Sequence, residues 1–196
     1  AALRRQIGAL NDALEAAEKQ DQQSRSQIVD LGRRLNVALA QRVQELNRFR
    51  SEFFGRLRRI LANRDDIRVV GDRFVFQSEV LFAKGAAALS PTGQLEISKL
   101  AVAMQQLVRE IPEDLNWVLQ VDGHTDDDPI NTPLFPSNWV LSSARAIAVV
   151  EALAEQGIPP QHLVAAGFGE FQPIDPGVSE DAKTRNRRIE LKLTTR

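Results

Sequence analysis

The sequence predicts an α+β domain in which helices pack on a mixed sheet, preceded by a long N-terminal coiled-coil helix. Two observations lead to this prediction. Residues 3–60 contain no proline and repeat small or apolar residues every three or four positions. Beyond this segment, short stretches rich in β-branched and aromatic residues alternate with two amphipathic stretches. We place the coiled-coil segment at 1–64 and the globular domain at 65–196.

The N-terminal apolar stripe has the a/d spacing of a coiled coil. Its clearest members are Leu3, Ile7, Leu10, Leu14, Ala17, Ile28, Leu31 and Leu35. Asp21 and Ser24 interrupt it, and two steps of four residues at Leu39 and Val43 form a stutter. A single helix would expose so narrow a stripe to water, so we expect a parallel homodimer. The alternative is that the last turns of the helix fold back on the globular domain.

The first half of the globular domain is predicted to be a hairpin followed by a helix. IRVV and FVFQ are strand-like, and Gly71-Asp72 between them suits a tight turn. Ser90 suits the N-cap of the helix and Pro91 its first position. Pro112 is expected to end this helix, because proline lacks the N–H that a helix interior needs.

The second half is predicted to contain a strand, a helix and two more strands. WVLQVDG is mostly apolar, as expected of a central strand. The helix after it is capped by Ser137 or Asn138 and ends at Gly157. HLVAAGFG and RRIELKL are the last strands, which gives the order β(β)αβαββ.

Composition excludes several classes of function. The chain has 196 residues, no cysteine and a net charge of −1, so disulfide frameworks and thiolate metal sites are excluded. The basic residues of the coiled-coil segment lack interleaved aromatic residues, so nucleic acid is not an expected partner. No apolar run approaches the ~18 residues of a membrane span. Because residue 1 already lies inside the repeat and is not Met, we expect a fragment, from which any N-terminal targeting or membrane segment would be missing.

The stretch VDGHTDDDPI, residues 121–130, concentrates one histidine and four acidic residues. A catalytic zinc site usually takes about three protein ligands, and calcium loops place oxygen ligands at alternating positions. The chain has only His124 and His162, and the stretch lacks that alternation. We therefore expect no metal, no cofactor and no enzymatic activity.

A binding site is the stronger interpretation of this stretch. Asp126 follows the carboxyl end of the central strand, and Arg145 lies two turns into the next helix. Asp126 can accept from an ammonium while Arg145 presents a planar fork to a carboxylate, which suits a zwitterionic ligand. Alternatively, the two side chains pair with each other. The residues alone leave both alternatives open.

Five motifs occur in an order typical of one family: VLFAKGAAALSPTG, VDGHTD, SNWVLSSARAIAVVEAL, VAAGFGEFQPI and NRRIELKL. Over residues 67–194 the sequence resembles the OmpA-like C-terminal domain family, whose members bind peptidoglycan non-covalently. The long loop DDDPINTPLFPSNW is similar to that of the MotB-type branch, the peptidoglycan anchor of flagellar stators.

The resemblance implies a ligand, the diaminopimelate of the peptidoglycan stem peptide. Asp126 would bind its ammonium and Arg145 its carboxylate. The other positions that match the family's site are Thr125, Phe82, Gly85, Asn138, Leu141, Asn186 and Arg187. Phe168 and Phe171 are expected to pack in the core and the turn. Trp139 either covers the core or flanks the glycan.

The resemblance also implies a location and partners. We expect the periplasmic domain of an inner-membrane-anchored protein, with the N-terminal helix as a spacer of roughly 90 Å. The alternative is a stator subunit of an ion-driven motor, whose partner would be a proton-channel subunit of the MotA or ExbB type.

Overall fold

The structure, a computed structural model, describes residues 2–61, 67–109, 111 and 117–195. It contains two compact units, Ala1–Arg48 and Phe49–Arg196. The predicted boundary between residues 64 and 65 lies outside the described residues and stays a prediction.

One helix, α1, spans Ala2–Leu61. The predicted stripe is exposed along it in the single chain, with Leu10 at 69% and Leu14 at 58% of full exposure. Asp21, which interrupts the stripe, forms an ion pair with Arg25 at 2.9 Å, one turn further on, and this pair supports the helix there. None of the described helices combines the length and apolarity that crossing a membrane requires.

The predicted hairpin is present. β1 (Ile67–Val70) pairs antiparallel with β2 (Arg73–Gln77), and Gly71 takes the positive φ of 60° that the two-residue turn needs. A short helix, α2 (Ser78–Leu81), follows β2 directly. The sequence does not predict α2, because four residues show no helical period.

The first long helix, α3, spans Pro91–Val108. Ser90 caps it as predicted, since its Oγ accepts a hydrogen bond from the Gly93 N–H at 2.9 Å. Pro112, which is expected to stop the helix, lies outside the described residues.

A strand, a helix and a parallel strand follow. β3 (Trp117–His124) and β4 (Leu163–Gly167) are parallel neighbours connected through α4 (Asn138–Glu155). Ser137, rather than Asn138, is the N-cap of α4, because its hydroxyl accepts a hydrogen bond from the first turn. The structure thereby decides between the two capping residues that the sequence allows.

The chain ends with a short helix and the last strand. Gly157 follows α4 with φ 88°, as a glycine beyond a helix end often does, and a 3-10 turn (Pro160–His162) leads into β4. α5 (Glu180–Asn186) precedes β5 (Arg188–Thr195). The sequence does not predict α5, because its residues are largely polar and only Ala182 gives it an apolar contact.

The five strands form one sheet in the order β1-β2-β5-β3-β4, antiparallel except between β3 and β4. One face of this sheet packs against α3 and α4. The core between them includes Phe74, Phe76, Leu119, Val121, Ile189 and Leu191 from strands, and Ile97, Met104, Val149 and Leu153 from helices. The predicted fold class, helices packed on a mixed sheet, is confirmed.

The register of the sheet brings three segments to one edge. Arg188, the first residue of β5, lies opposite Gln77 at the end of β2 and opposite His124 at the end of β3. The residues after β2, the residues after β3 and the residues before β5 therefore come together at this edge.

Candidate functional site

A cavity of about 360 Å³ opens at this edge of the sheet, a size that suits a small ligand. Its walls come from α2 and the turn after it, the loop after β3, the start of α4 and the α5–β5 junction. Eight of the nine positions predicted from the sequence line it: Phe82, Gly85, Thr125, Asp126, Asn138, Leu141, Arg145 and Arg187.

Arg145 is a buried cation in the cavity wall, only 4% exposed. Its Nε donates to the Ala86 carbonyl oxygen at 2.8 Å, and its guanidinium lies 5.2 Å from the centroid of the Phe82 ring. Burial lowers the pKa of Arg145, while the charges of Glu79 and Asp126 oppose that shift. Within the described ranges, no carboxylate forms an ion pair with Arg145. A buried guanidinium in this setting favours an incoming anion.

The structure pairs Asp126 with Arg187 and not with Arg145. Nη1 of Arg187 donates to Asp126 Oδ2 at 2.5 Å, Nη2 donates to the Thr184 hydroxyl at 2.8 Å, and Nε donates to Glu79. Partial burial alone would lower the pKa of Arg187, but the hydrogen bonds to Asp126 and Glu79 outweigh this effect and raise the pKa. Arg187 therefore bridges α2, the loop after β3 and α5.

Asn138 fixes the loop that carries Asp126. Its Nδ2 donates to the Asp128 carbonyl oxygen at 2.9 Å and to the Asp126 carbonyl oxygen at 3.4 Å. From α5, Lys183 binds the Asp128 carboxylate at 2.6 Å, and this hydrogen bond lowers the pKa of Asp128. Because the loop is held from two helices, the Asp126 carboxylate is preorganised.

Gly85 shapes the opposite wall. Its φ of 69° lies in the left-handed region that glycine adopts without strain, and it permits the turn over residues 83–86. This turn directs a carbonyl oxygen at the Arg145 guanidinium. Leu141 and Phe82, 5% and 3% exposed, give the wall an apolar surface.

Eight residues that line the cavity are not among the predicted positions, and two of them are Ser78 and Glu79 of α2. The hydroxyls of Ser78 and Thr125 are buried and have no hydrogen-bond partner among the residues that the structure describes. Because buried polar groups are normally hydrogen-bonded, both hydroxyls are candidates for ligand contact. A signal was available, since Ser78 and Glu79 directly follow the predicted strand FVFQ and so lie at a strand end.

Asn186, the ninth predicted position, holds a neighbouring loop. Its Oδ1 accepts from the N–H groups of Ile174 and Asp175, both at 3.0 Å, and its Nδ2 donates to the Asp175 carbonyl oxygen at 2.8 Å. Asn186 is not among the residues that line the cavity. Its described contacts stabilise the chain just before α5.

Asp122 and His124 lie on the sheet face opposite the helices, where they meet Glu190. Ligand atoms of these three residues lie within 4.8 Å of one another. Three cations surround them: Arg73, Arg188 and Lys192. Three positive charges beside two carboxylates disfavour a divalent cation. Burial, and then the charge of Arg188, lowers the pKa of His124 to about 4, so His124 is neutral at pH 7.

Comparison with known families assigns the domain that contains the cavity. Residues 81–187, more than half of the chain, match the OmpA family. The chain belongs to the OmpA family. The matched segment of this OmpA family domain includes all nine predicted positions and excludes Ser78 and Glu79.

A curated relative of this OmpA family chain is the uncharacterized protein YtxE of Bacillus subtilis. The two are 34% identical over 131 residues, which is 66% of this chain and 50% of YtxE. The chain spans about half the length of the curated relatives it matches.

Solved structures with the OmpA family fold extend the comparison. A MotB-like protein from Desulfovibrio vulgaris has a TM-score of 0.64 and 28% identity, covering 78% of this chain and 98% of that protein. The cell wall anchor of the T6SS from Pseudomonas aeruginosa has a TM-score of 0.60 and 30% identity, covering 72% and 98%. Both matches support the mixed α+β fold, and the first supports the kinship with MotB-type proteins.

Proposed function

We propose that the chain binds peptidoglycan non-covalently and anchors a cell-envelope protein to the wall, through the diaminopimelate residue of a stem peptide. The observation that carries the proposal is the buried Arg145 guanidinium, which lines the cavity together with Asp126 and has no carboxylate partner among the described residues. A cation and a carboxylate on the wall of one small cavity match a zwitterionic amino-acid end.

The chemistry of the other wall residues agrees with this ligand. The side chain of diaminopimelate is a short methylene chain that ends in an ammonium and a carboxylate on one carbon. Leu141 and Phe82 offer apolar contact to the methylene groups, and the hydroxyls of Ser78 and Thr125 offer hydrogen bonds. The neighbour from Pseudomonas aeruginosa is itself a cell wall anchor, which supports a wall-binding role.

Replacement of Asp126 by asparagine tests the ammonium contact. The amide keeps the shape of the carboxylate but loses its charge, so we expect peptidoglycan affinity to fall about tenfold, since a hydrogen bond to a charged group contributes roughly 1.5 kcal/mol. Co-sedimentation with purified peptidoglycan measures the change. The matched control is Asp127→Asn, in the same loop but exposed and outside the cavity wall. Equal loss in both variants, or loss in neither, would contradict the proposed contact.

We further propose that α1 is a spacer that joins two chains as a parallel coiled-coil dimer. Its apolar stripe is exposed in the single chain, and burial of one leucine contributes roughly 1.5–3 kcal/mol.

The double variant Leu10→Asp, Leu14→Asp should raise the dimer dissociation constant more than about a hundredfold. Sedimentation equilibrium measures it, with Ala9→Asp, Ala16→Asp as a control that adds the same charge outside the stripe. A wild-type chain that stays monomeric at high concentration would refute the dimer.

A stator subunit of an ion-driven motor is the second candidate, and similarity to the MotB-like protein favours it. Both functions place the domain in the periplasm of a membrane-anchored protein. They differ in the partner, because a stator subunit requires a proton-channel subunit of the MotA type. Co-purification of such a subunit with the full-length protein would favour the motor, and its absence would favour a passive anchor.

A further inference from the structure

Two aromatic side chains, each on a segment joined to the cavity wall, stand exposed and contact each other. Trp139 is 53% and Phe171 60% exposed, and their ring centroids lie 4.8 Å apart with planes inclined by 38°. From the sequence, Phe171 is expected to be a packing residue and the role of Trp139 is open, whereas both are exposed in the structure. Exposing two adjacent aromatic rings to water is energetically unfavourable. Such a surface is therefore a candidate binding site.

The segment that presents Phe171 is firmly held. The Gly169 carbonyl oxygen accepts from the Thr125 N–H at 2.9 Å, and the Gly169 N–H donates to the Ser142 hydroxyl at 3.0 Å. Phe168 stacks on the buried His124 ring, with centroids 5.0 Å apart. The exposed ring therefore projects from a fixed support, and ordering it on binding costs little.

The two segments that carry the aromatic rings are joined to the cavity wall. Trp139 directly follows Asn138, which lines the cavity. Phe171 lies two residues after Gly169, which is hydrogen-bonded to the cavity residue Thr125. A polymer whose side branch enters the cavity would thus bring its main chain to the neighbouring surface.

We propose that Trp139 and Phe171 form a stacking site for a sugar ring of the glycan strand, an inference that rests on the proposed binding of the stem peptide. The stem peptide is covalently attached to an amino sugar, and the C–H face of a pyranose ring packs well on an aromatic face. Two side chains offer far less area than the ~1,000 Å² of a stable protein interface, which favours a sugar over a protein partner.

The test compares three probes: intact peptidoglycan, peptide-free glycan strands and the free diaminopimelate-containing stem peptide. Trp139→Ala and Phe171→Ala should each weaken binding of intact peptidoglycan about three- to tenfold, as expected for one lost ring contact. Binding of the free stem peptide should be unchanged. Val102→Ala, which trims an exposed apolar residue on α3, is the matched control and should change neither.

Tryptophan fluorescence gives a second readout. The chain has two tryptophans, and Trp117 is 4% exposed and stacked on His162, so Trp139 is the tryptophan that solvent reaches. Glycan strands should shift the emission of the wild-type chain to shorter wavelength and leave that of Trp139→Phe unchanged.

The outcomes separate this inference from the proposed function. Loss of binding in Asp126→Asn with no change in Trp139→Ala would overturn the sugar site alone. Unchanged binding in Asp126→Asn would overturn the stem-peptide site on which the inference rests. If Trp139→Ala weakened binding of the free stem peptide and of intact peptidoglycan equally, the sugar site would be overturned, because the ring would then act through the cavity. The sugar site would also be overturned if Trp139→Ala changed the self-association of the chain and left glycan binding unchanged.

Discussion

Arg145→Ala should remove most of the binding of this chain to peptidoglycan that contains diaminopimelate. The substitution deletes the only buried guanidinium that lines the cavity among the described residues and so removes the proposed partner of the ligand carboxylate. A charge-assisted pair of this kind contributes roughly 2–3 kcal/mol, so we expect affinity to fall about 30- to 150-fold. Co-sedimentation or calorimetry with purified peptidoglycan measures the loss.

Peptidoglycan that carries lysine in place of diaminopimelate sharpens this experiment. Lysine lacks the second carboxylate, so the wild-type chain should bind it weakly, and Arg145→Ala should weaken that binding little further. Arg145→Lys should recover only part of the affinity, because an ammonium cannot form the two parallel hydrogen bonds of a guanidinium. Arg68→Ala, on the exposed part of β1, is the matched control. The same 30-fold loss on both kinds of peptidoglycan would show that Arg145 acts through the fold.

Gly123→Ala should lower the free energy of unfolding by at least about 3 kcal/mol, at the upper end of what overpacking costs. A Cβ at Gly123 would overlap the Ser142 carbonyl oxygen and lie 2.9 Å from its carbon. Because this neighbour is helix backbone, α4 itself has to move away from β3. That movement also carries Arg145 away from the loop after β3, so peptidoglycan binding should fall together with stability.

Urea unfolding followed by circular dichroism measures the stability change of Gly123→Ala. Gly32→Ala is the matched control, because it adds the same methyl group to α1 where nothing outside the adjacent residues and the helix's own backbone lies within 4 Å. There we expect a gain of up to ~1 kcal/mol, from better helix propensity. If Gly123→Ala were as stable as the wild type, close packing of α4 on β3 would not be the reason for glycine at this position.

The order of the long elements could be predicted because each has a period that the sequence displays. α3 and α4 repeat apolar residues every three or four positions, and their caps at Ser90 and Ser137 are the usual residue types. α2 and α5 could not be predicted in this way. They are only four and seven residues long, and tertiary contacts such as the hydrogen bond from Ser78 N–H to the Arg187 carbonyl oxygen help to hold them.

The candidate site could be predicted in its location more readily than in its contacts. Residues that follow strand ends lie together at one edge of the sheet. Asp126 is therefore expected near Arg145 without knowledge of the individual side-chain contacts. The partner of Asp126 depends on the register of β5 against β3, which the spacing of charges does not encode. From the sequence, Arg145, nineteen positions away, is one possible pairing partner of Asp126 and a ligand is the alternative, whereas the structure has Arg187, which is sixty-one positions away.

Arg187 is hydrogen-bonded to both Asp126 and Glu79. A ligand ammonium that binds Asp126 would therefore compete with Arg187 for a carboxylate that is already paired. Under the proposed function, the net gain would be smaller than that of a new ion pair, so a single domain would bind the wall reversibly. If two chains pair through α1, one domain stays bound when the other dissociates, and the dissociated domain can rebind at a high effective concentration. Two domains joined in this way would stay bound to the wall longer than either domain alone.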